Sequence, residues 1–219
     1  HVWPVIGTLD RIFLLARLVA MNRPNGQTIS SAEALRLARK LADMIGELEI
    51  EQVDFGRFAE VGIETDLPGH WQSSYGQLLE ILPAYRAELS RRKLLGPAER
   101  RNLLLGRLER RLAETPTAVP IIAAGITTSA KAIARLLRRI ARLPQGLVIL
   151  PGLDLDMDDG QWTALSHATD EEGERKLKRN IEVHPQFHLK HLLDQMGVDR
   201  SEVDVIPTSM TTRPHHAIT

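Results

Sequence analysis

Apolar residues recur with a helical period through the first half of the chain. Ser30-Ser31-Ala32-Glu33 has the spacing of a capping box, and Ala34, Leu35, Ala38, Leu41, Ala42 and Ile45 follow at helical steps. The pattern predicts an amphipathic helix ending near Gly46. Leu9 to Met21 predicts a more apolar helix, central to the core. A third helix is expected from about Trp71 to Leu95, bent or divided at Pro83, whose ring removes a backbone donor and clashes with the preceding turn. Pro97 suits the first turn of a fourth, Ala98 to Glu114, with Leu104, Leu105, Leu108 and Leu112 on one side.

The period changes at Thr115-Pro116-Thr117. Ala118 to Ala124 is a short apolar run bounded by Gly125, which predicts a buried strand. A Thr/Ser turn then leads into an amphipathic helix, Ser129 to Arg142, and Leu147-Val148-Ile149-Leu150 predicts a second buried strand closed by Pro151-Gly152. Strand, helix, strand over this length is the βαβ pattern, with parallel strands and a right-handed crossover. A helix over Phe187 to Met196 and a third strand over Val203 to Ile206 complete the reading. The fold class is therefore a helix-rich, mixed α/β one, with a helical part over 1–115 and a small parallel-sheet part over 116–219.

Composition narrows the function classes. Of 219 residues, 43% are hydrophobic and 26% charged, enough apolar material for one large or two small cores. The absence of cysteine excludes disulfides, a thiol nucleophile and every cysteine-ligated metal site within these residues. The best apolar stretch, Ile12 to Met21, is interrupted by Arg17 and falls short of the roughly 20 residues a membrane helix needs. No export signal is recognisable, so a cytoplasmic location is expected. Starting at His1 without Met, and ending on Thr211-Thr212-Arg213-Pro214-His215-His216, the chain reads as a piece of something longer.

Twenty-eight basic and 28 acidic side chains cancel, yet they are segregated. Asp43 to Asp66 holds eight acids against Arg57 alone, Arg86 to Arg111 nine bases against three acids, and Asp154 to Glu174 eight acids with no base. The Ser129 to Arg142 helix carries Lys131, Arg135, Arg138, Arg139 and Arg142 with no acid. Such runs contact phosphates, acidic segments of the same fold or solvent. Lys131, Arg135, Arg138 and Arg139 are the first candidates for DNA phosphates, followed by Arg91, Arg92, Arg100 and Arg101. Aromatic residues for base stacking are few: Trp71, Tyr75 and Tyr85.

A βαβ unit raises the question of nucleotide binding. The chain has no Gly-Lys pair, and the strand through Ile121 ends in Ala123-Ala124-Gly125, where an acidic pair would be needed to hold magnesium. ATP hydrolysis is therefore not expected, and no cofactor is assigned. The turn before Ser129 leads to a helix N-terminus, where a capped helix with nothing bound is the simpler reading. Asp154-Leu155-Asp156-Met157-Asp158-Asp159-Gly160 fails as an EF-hand, because glycine falls at the seventh place and Leu165 at the twelfth. Asp154 and Asp156 with His184, His188 and His191 make an alternative, a metal-assisted hydrolase, although no HExxH arrangement exists and surface or hydrogen-bonded histidines are the plainer account. A purely protein-interacting module is the other alternative.

Several ordered motifs add a resemblance. Pro120 to Ser129, Leu143 to Asp154, Trp162, His184-Pro185-Gln186-Phe187 with Leu189 to Val203, and the helical half through Pro68-Gly69-His70-Trp71-Gln72 and Pro97 to Arg101 together resemble the alphaproteobacterial AddB family of double-strand break repair proteins. The resemblance implies the B subunit of a helicase-nuclease that works with an AddA-type subunit. In that family the helicase-like part has lost ATPase function and binds single-stranded DNA. The family's nuclease domain, with its cysteine-held iron–sulfur cluster, has no counterpart in these residues, so no nuclease activity carries over. The resemblance makes residues 1–115 an inserted helicase subdomain and 116–219 a partial RecA-like domain with a degenerate nucleotide site. Ile126-Thr127 departs from the small Ser-Thr expected after Gly125.

Overall fold

Two apolar cores form along the chain, and one helix touches both. The structure is a computed structural model and describes residues 2–22, 28–54, 69–115, 117–166, 168–169, 175–176 and 183–206. The described residues are helix-rich, with seven α-helices and a small two-stranded parallel sheet among them, a mixed α/β architecture. The side chains of Trp71 and Tyr75, the acidic stretches 55–66 and 170–174, and Thr211 to His216 lie outside the described residues.

Helices α1 (Thr8–Met21), α2 (Ser31–Ile50) and α3 (Gly69–Arg92) enclose the first core. Leu14, Leu15 and Val19 of α1 meet Ala34, Ala38, Ala42 and Ile45 of α2, and Ile81, Leu82, Tyr85 and Leu89 of α3 close it. The small alanines on one face of α2 let α1 approach closely, since interaxial distance follows side-chain size. A cation ties the three helices together: Arg11 donates from Nε to the Tyr85 hydroxyl at 3.1 Å and from Nη2 to the Ala42 carbonyl at 2.9 Å.

Helix α2 begins as its capping pattern predicts, with the Ser30 hydroxyl accepting from the Glu33 N–H at 3.2 Å. It does not stop at Gly46 but runs on to Ile50. An interior glycine costs only about 1 kcal/mol, and Ile45 and Glu49 are buried on either side of it. Its stop signal is Gln52 at φ 53°, with Gln52 N–H reaching Glu49 O and Val53 N–H reaching Leu48 O. Helix α3 is likewise continuous through Pro83, which lies on its exposed side. It ends at Arg92 rather than Leu95, through the same motif centred on Lys93 at φ 54°. Leu95 instead pairs with the N-terminal segment, accepting from Ile6 N–H at 3.0 Å and donating to Pro4 O at 2.9 Å.

Helix α4 (Pro97–Glu114) bridges to the second core. Its predicted leucine face is only partly used: Leu112 is buried, but Leu104 and Leu108 are 41% and 44% exposed. Strands β1 (Ile121–Ala124) and β2 (Gly146–Ile149) are parallel, in register from Ile121 with Gly146 to Ala124 with Ile149. Helix α5 (Lys131–Ala141) connects them. The βαβ unit is thus present, but its strands are not buried on both faces. Ala123 and Val148 pack on Ala134, Leu137 and Leu192, whereas Ile122 is 61% and Leu147 44% exposed on the other face. Ala118 and Val119 precede β1 without joining it.

Beyond β2 come a short helix α6 (Asp159–Ala164), a two-residue antiparallel pair β3 (Ala168–Thr169) and β4 (Arg175–Lys176), and α7 (Phe187–Met196). The sequence pattern had pointed to α7 with these bounds but not to α6, β3 or β4. The third strand expected at Val203 to Ile206 does not form: a 3-10 turn, Arg200–Glu202, precedes it and the four residues pair with no strand among the described residues. Val203 instead packs beside Trp162 and Leu193.

The seat of α4 on the first core is polar. Glu49, 8% exposed, accepts from the Glu99 backbone N–H in the first turn of α4. A Cβ at Gly96 would fall 2.8 Å from both carboxylate oxygens, so a larger residue there would displace the Glu49 carboxylate from its seat. Asn102 Nδ2 donates to Glu49 O at 2.6 Å, yet Glu49 Oε2 and Asn102 Oδ1 are buried without donors. Desolvation raises the Glu49 pKa against the opposing pull of Arg11.

Two outcomes are expected. Lys93→Gly relieves a left-handed backbone at an exposed position, and chemical denaturation should show a gain of about 0.5–1 kcal/mol. For Glu49 the folded state holds its proton to higher pH than the unfolded chain, so stability declines as pH rises above the ordinary carboxylate range. Glu49→Gln removes that decline: melting temperatures should exceed wild type at neutral pH and converge with it in acid.

Candidate nucleic-acid interface

Helix α5 places its charge on one stripe. Lys131, Arg135, Arg138 and Arg142 recur at i, i+4, i+7 and i+11, while Ala134, Leu137 and Ile140 turn into the core. Its predicted start at Ser129 falls two residues early: the N-cap is Ala130, with no side-chain cap, and Thr128 Oγ1 accepts from Ala130 N–H at 3.4 Å.

The eight candidate DNA contacts fall into three settings. Arg135, Arg138 and Arg139 line one cavity of about 200 Å3 between α4 and α5, joined there by Arg142 and by Glu109 of α4. Lys131 lies on the same stripe, half-buried at the start of α5. Arg138 lies over Gly197, the left-handed residue that ends α7, where helix carbonyls favour a cation. Its Nε and that of Arg139 are buried without an acceptor, a condition that costs about 1–3 kcal/mol per group.

Arg91 and Arg92 are occupied. Both hold Glu88, at 2.8 and 2.7 Å, and Arg17 of α1 approaches the same carboxylate at 3.6 Å. The side-chain hydrogen bonds from Arg91 and then Arg92 push the Glu88 pKa down to about 2. Arg100 and Arg101 make a third setting, with Val5, Pro97, Leu104 and Leu108 around an open groove of about 350 Å3. The structure therefore gathers the α5 arginines and separates them from the other four.

Arg142 and Glu109 are the members that charge counting alone did not select. Helical spacing carried the signal for Arg142, since it is four residues beyond Arg138. Nothing in the sequence marked Glu109, which reaches the cavity through the packing of α4 on α5.

The acidic loop is held by its own backbone. Asp154 Oδ1 accepts from the N–H groups of Asp156 and Met157, each at 3.0 Å. Asp158 caps α6 through Gly160 and Gln161, and Asp159 pairs with Arg200. Gln186 clasps the loop from α7, donating to Gly152 O at 2.8 Å and accepting from Asp154 N–H at 3.1 Å. Arg200 lies over the Trp162 ring at 5.0 Å, with Lys190 at 5.7 Å. His184 Nδ1 accepts from Gln186 N–H at 3.2 Å, and His188 and His191 lie edge-on and stacked beside Phe187. Among the described residues no three His, Asp or Glu side chains are grouped to hold a metal ion. No helix among them is long and apolar enough to cross a membrane.

Comparison with family models, curated proteins and solved structures gave no match.

Glu88 generates a prediction with two readouts. Its ion pairs support the fold above the ordinary carboxylate range and fade as pH falls from 4.5 toward about 2. The stability difference between wild type and Glu88→Gln should follow that course in acid titrations monitored by circular dichroism. At neutral pH the same substitution releases three arginines, so fluorescence titration should show tighter oligonucleotide binding.

Proposed function

We propose that the chain is a non-catalytic, helicase-like piece of an AddB-type subunit, contacting single-stranded DNA and serving as a scaffold beside an AddA-type partner in double-strand break processing. The observation that carries the DNA contact is the α5 stripe: among the described residues Lys131, Arg135 and Arg139 have no ion-pair partner, and Arg135 is exposed. Cations so placed release counterions when they meet a phosphate backbone. On this reading the chain turns over no nucleotide, because β1 runs out into Ala124 and Gly125 where magnesium would need carboxylates.

The scaffold role draws on the open sheet face. Parallel sheets are ordinarily covered on both sides, and Ile122 and Leu147 leave one side of this sheet to solvent. A second reading, protein interaction alone, is favoured by the groove of Val5, Leu104 and Leu108, whose apolar floor is flanked by Arg100 and Arg101.

Titration of a labelled single-stranded oligonucleotide at two salt concentrations tests the DNA reading. Affinity should fall with salt, and Arg135→Gln and Arg139→Gln should each reduce the log–log slope by about 1. Absence of binding at low salt rejects DNA contact by this chain and leaves protein interaction as its role.

A further inference from the structure

Helix α5 gathers more positive charge at one point than its surroundings neutralise. Arg135, Arg138, Arg139 and Arg142 line the cavity between α4 and α5, and Glu109 is the one acid among its lining residues. Four arginines thus line a cavity with a single carboxylate. The Arg138 guanidinium also lies beside Gly197 and Arg135 also borders the neighbouring cavity of Glu49 and Glu99, yet none of the four has an ion-pair or side-chain hydrogen-bond partner among the described residues. The half-buried Arg139 and Arg138 each bury an Nε donor with no acceptor. Ordinary surface arginines stay apart or find carboxylates, as Arg91 and Arg92 do on Glu88.

The geometry points to an oxyanion site: this cavity takes a free, multiply charged phosphoryl anion of the size of inorganic phosphate or pyrophosphate. The guanidinium fork matches two oxygens of such an anion at once, which a monatomic anion cannot offer. The volume argues in the same direction. At about 200 Å3 the cavity is smaller than the roughly 300 Å3 at which sites for drug-sized ligands begin. It still exceeds several times the ~30 Å3 share of one water, so a tetrahedral anion fits with part of its hydration. Glu109 opposes any anion, and its carboxylate sets how much charge the arginines have left to offer. This assignment goes beyond the DNA reading, for it needs no polymer and includes Arg142 and Glu109.

Thermal melts and phosphorus NMR of the chain with inorganic phosphate, against sodium chloride at matched ionic strength, test it. Saturating phosphate should raise the melting temperature by about 2–4 °C beyond chloride and broaden the phosphate resonance. Arg142→Gln should abolish the rise without lowering the melting temperature in chloride, because it also relieves repulsion among like charges. Glu109→Gln should enlarge the rise, and Arg36→Gln, which removes from α2 the one positive charge that Arg142→Gln removes at the cavity, should leave it unchanged. Equal shifts in chloride and phosphate, or equal phosphate shifts in wild type, Arg142→Gln and Glu109→Gln, overturn the proposal. Oligonucleotide titration on the same samples separates the two ideas. A phosphate shift without oligonucleotide binding upholds the cavity and removes the DNA reading, whereas oligonucleotide binding without a phosphate shift overturns the cavity.

Discussion

Helix α4 must satisfy two environments at once, and the relation between the halves of the described fold follows from how it does so. At its first turn it meets the helical core through polar groups: the Glu49 carboxylate against Gly96 and the Glu99 amide, and Asn102 on the Glu49 carbonyl. At its far end it enters the second core through Leu112 beside Ile140 and Leu143. One buried leucine contributes about 1.5–3 kcal/mol. The polar end is weaker in net terms, because Glu49 is buried at the C-terminal end of α2, where backbone carbonyls oppose its charge, and is offset only in part by Arg11, Arg86 and the amide end of α4. Specific geometry, rather than apolar area, therefore fixes the start of α4.

This arrangement also decides which arginines have work to do inside the fold. The bases between Arg86 and Arg111 read as one run in the sequence, but helical phase and the end of α3 at Lys93 distribute them. Arg91 and Arg92 turn back onto Glu88 of their own helix, while Arg100 and Arg101 face the apolar groove on α4. The α5 bases stay together because eleven residues of regular helix carry them, and the opposite face is committed to Leu137 and Ile140. Charge density alone would have ranked the two runs alike. Periodicity separates them.

Much of the helical fold was legible for the same reason. The capping box at Ser30, the proline at the start of α4 and the apolar rhythm of α7 are local signals, and each element begins where they place it. Helix ends were less legible. Gln52 and Lys93 adopt left-handed conformations that their residue types do not advertise, and the strong glycine signal at Gly46 was overridden by packing beyond it. Short elements escaped as well, since α6 is organised by Asp158 and by the docking of Trp162 between Leu165 and Leu193, a tertiary event. The expected strand at Val203 had suitable residues but no neighbour to pair with.

The candidate site shows the same boundary between local and tertiary information. Its arginines were visible as a stripe, because a helix repeats its own geometry. The cavity was not, because it exists only where Glu109 comes to face Arg135 and its neighbours across the α4–α5 contact. A stripe on an isolated helix is a generic polyanion binder. The same stripe, folded against α4, holds several arginines at fixed positions around one carboxylate, and on the proposed reading a ligand bringing several oxygens answers them better than a single point charge.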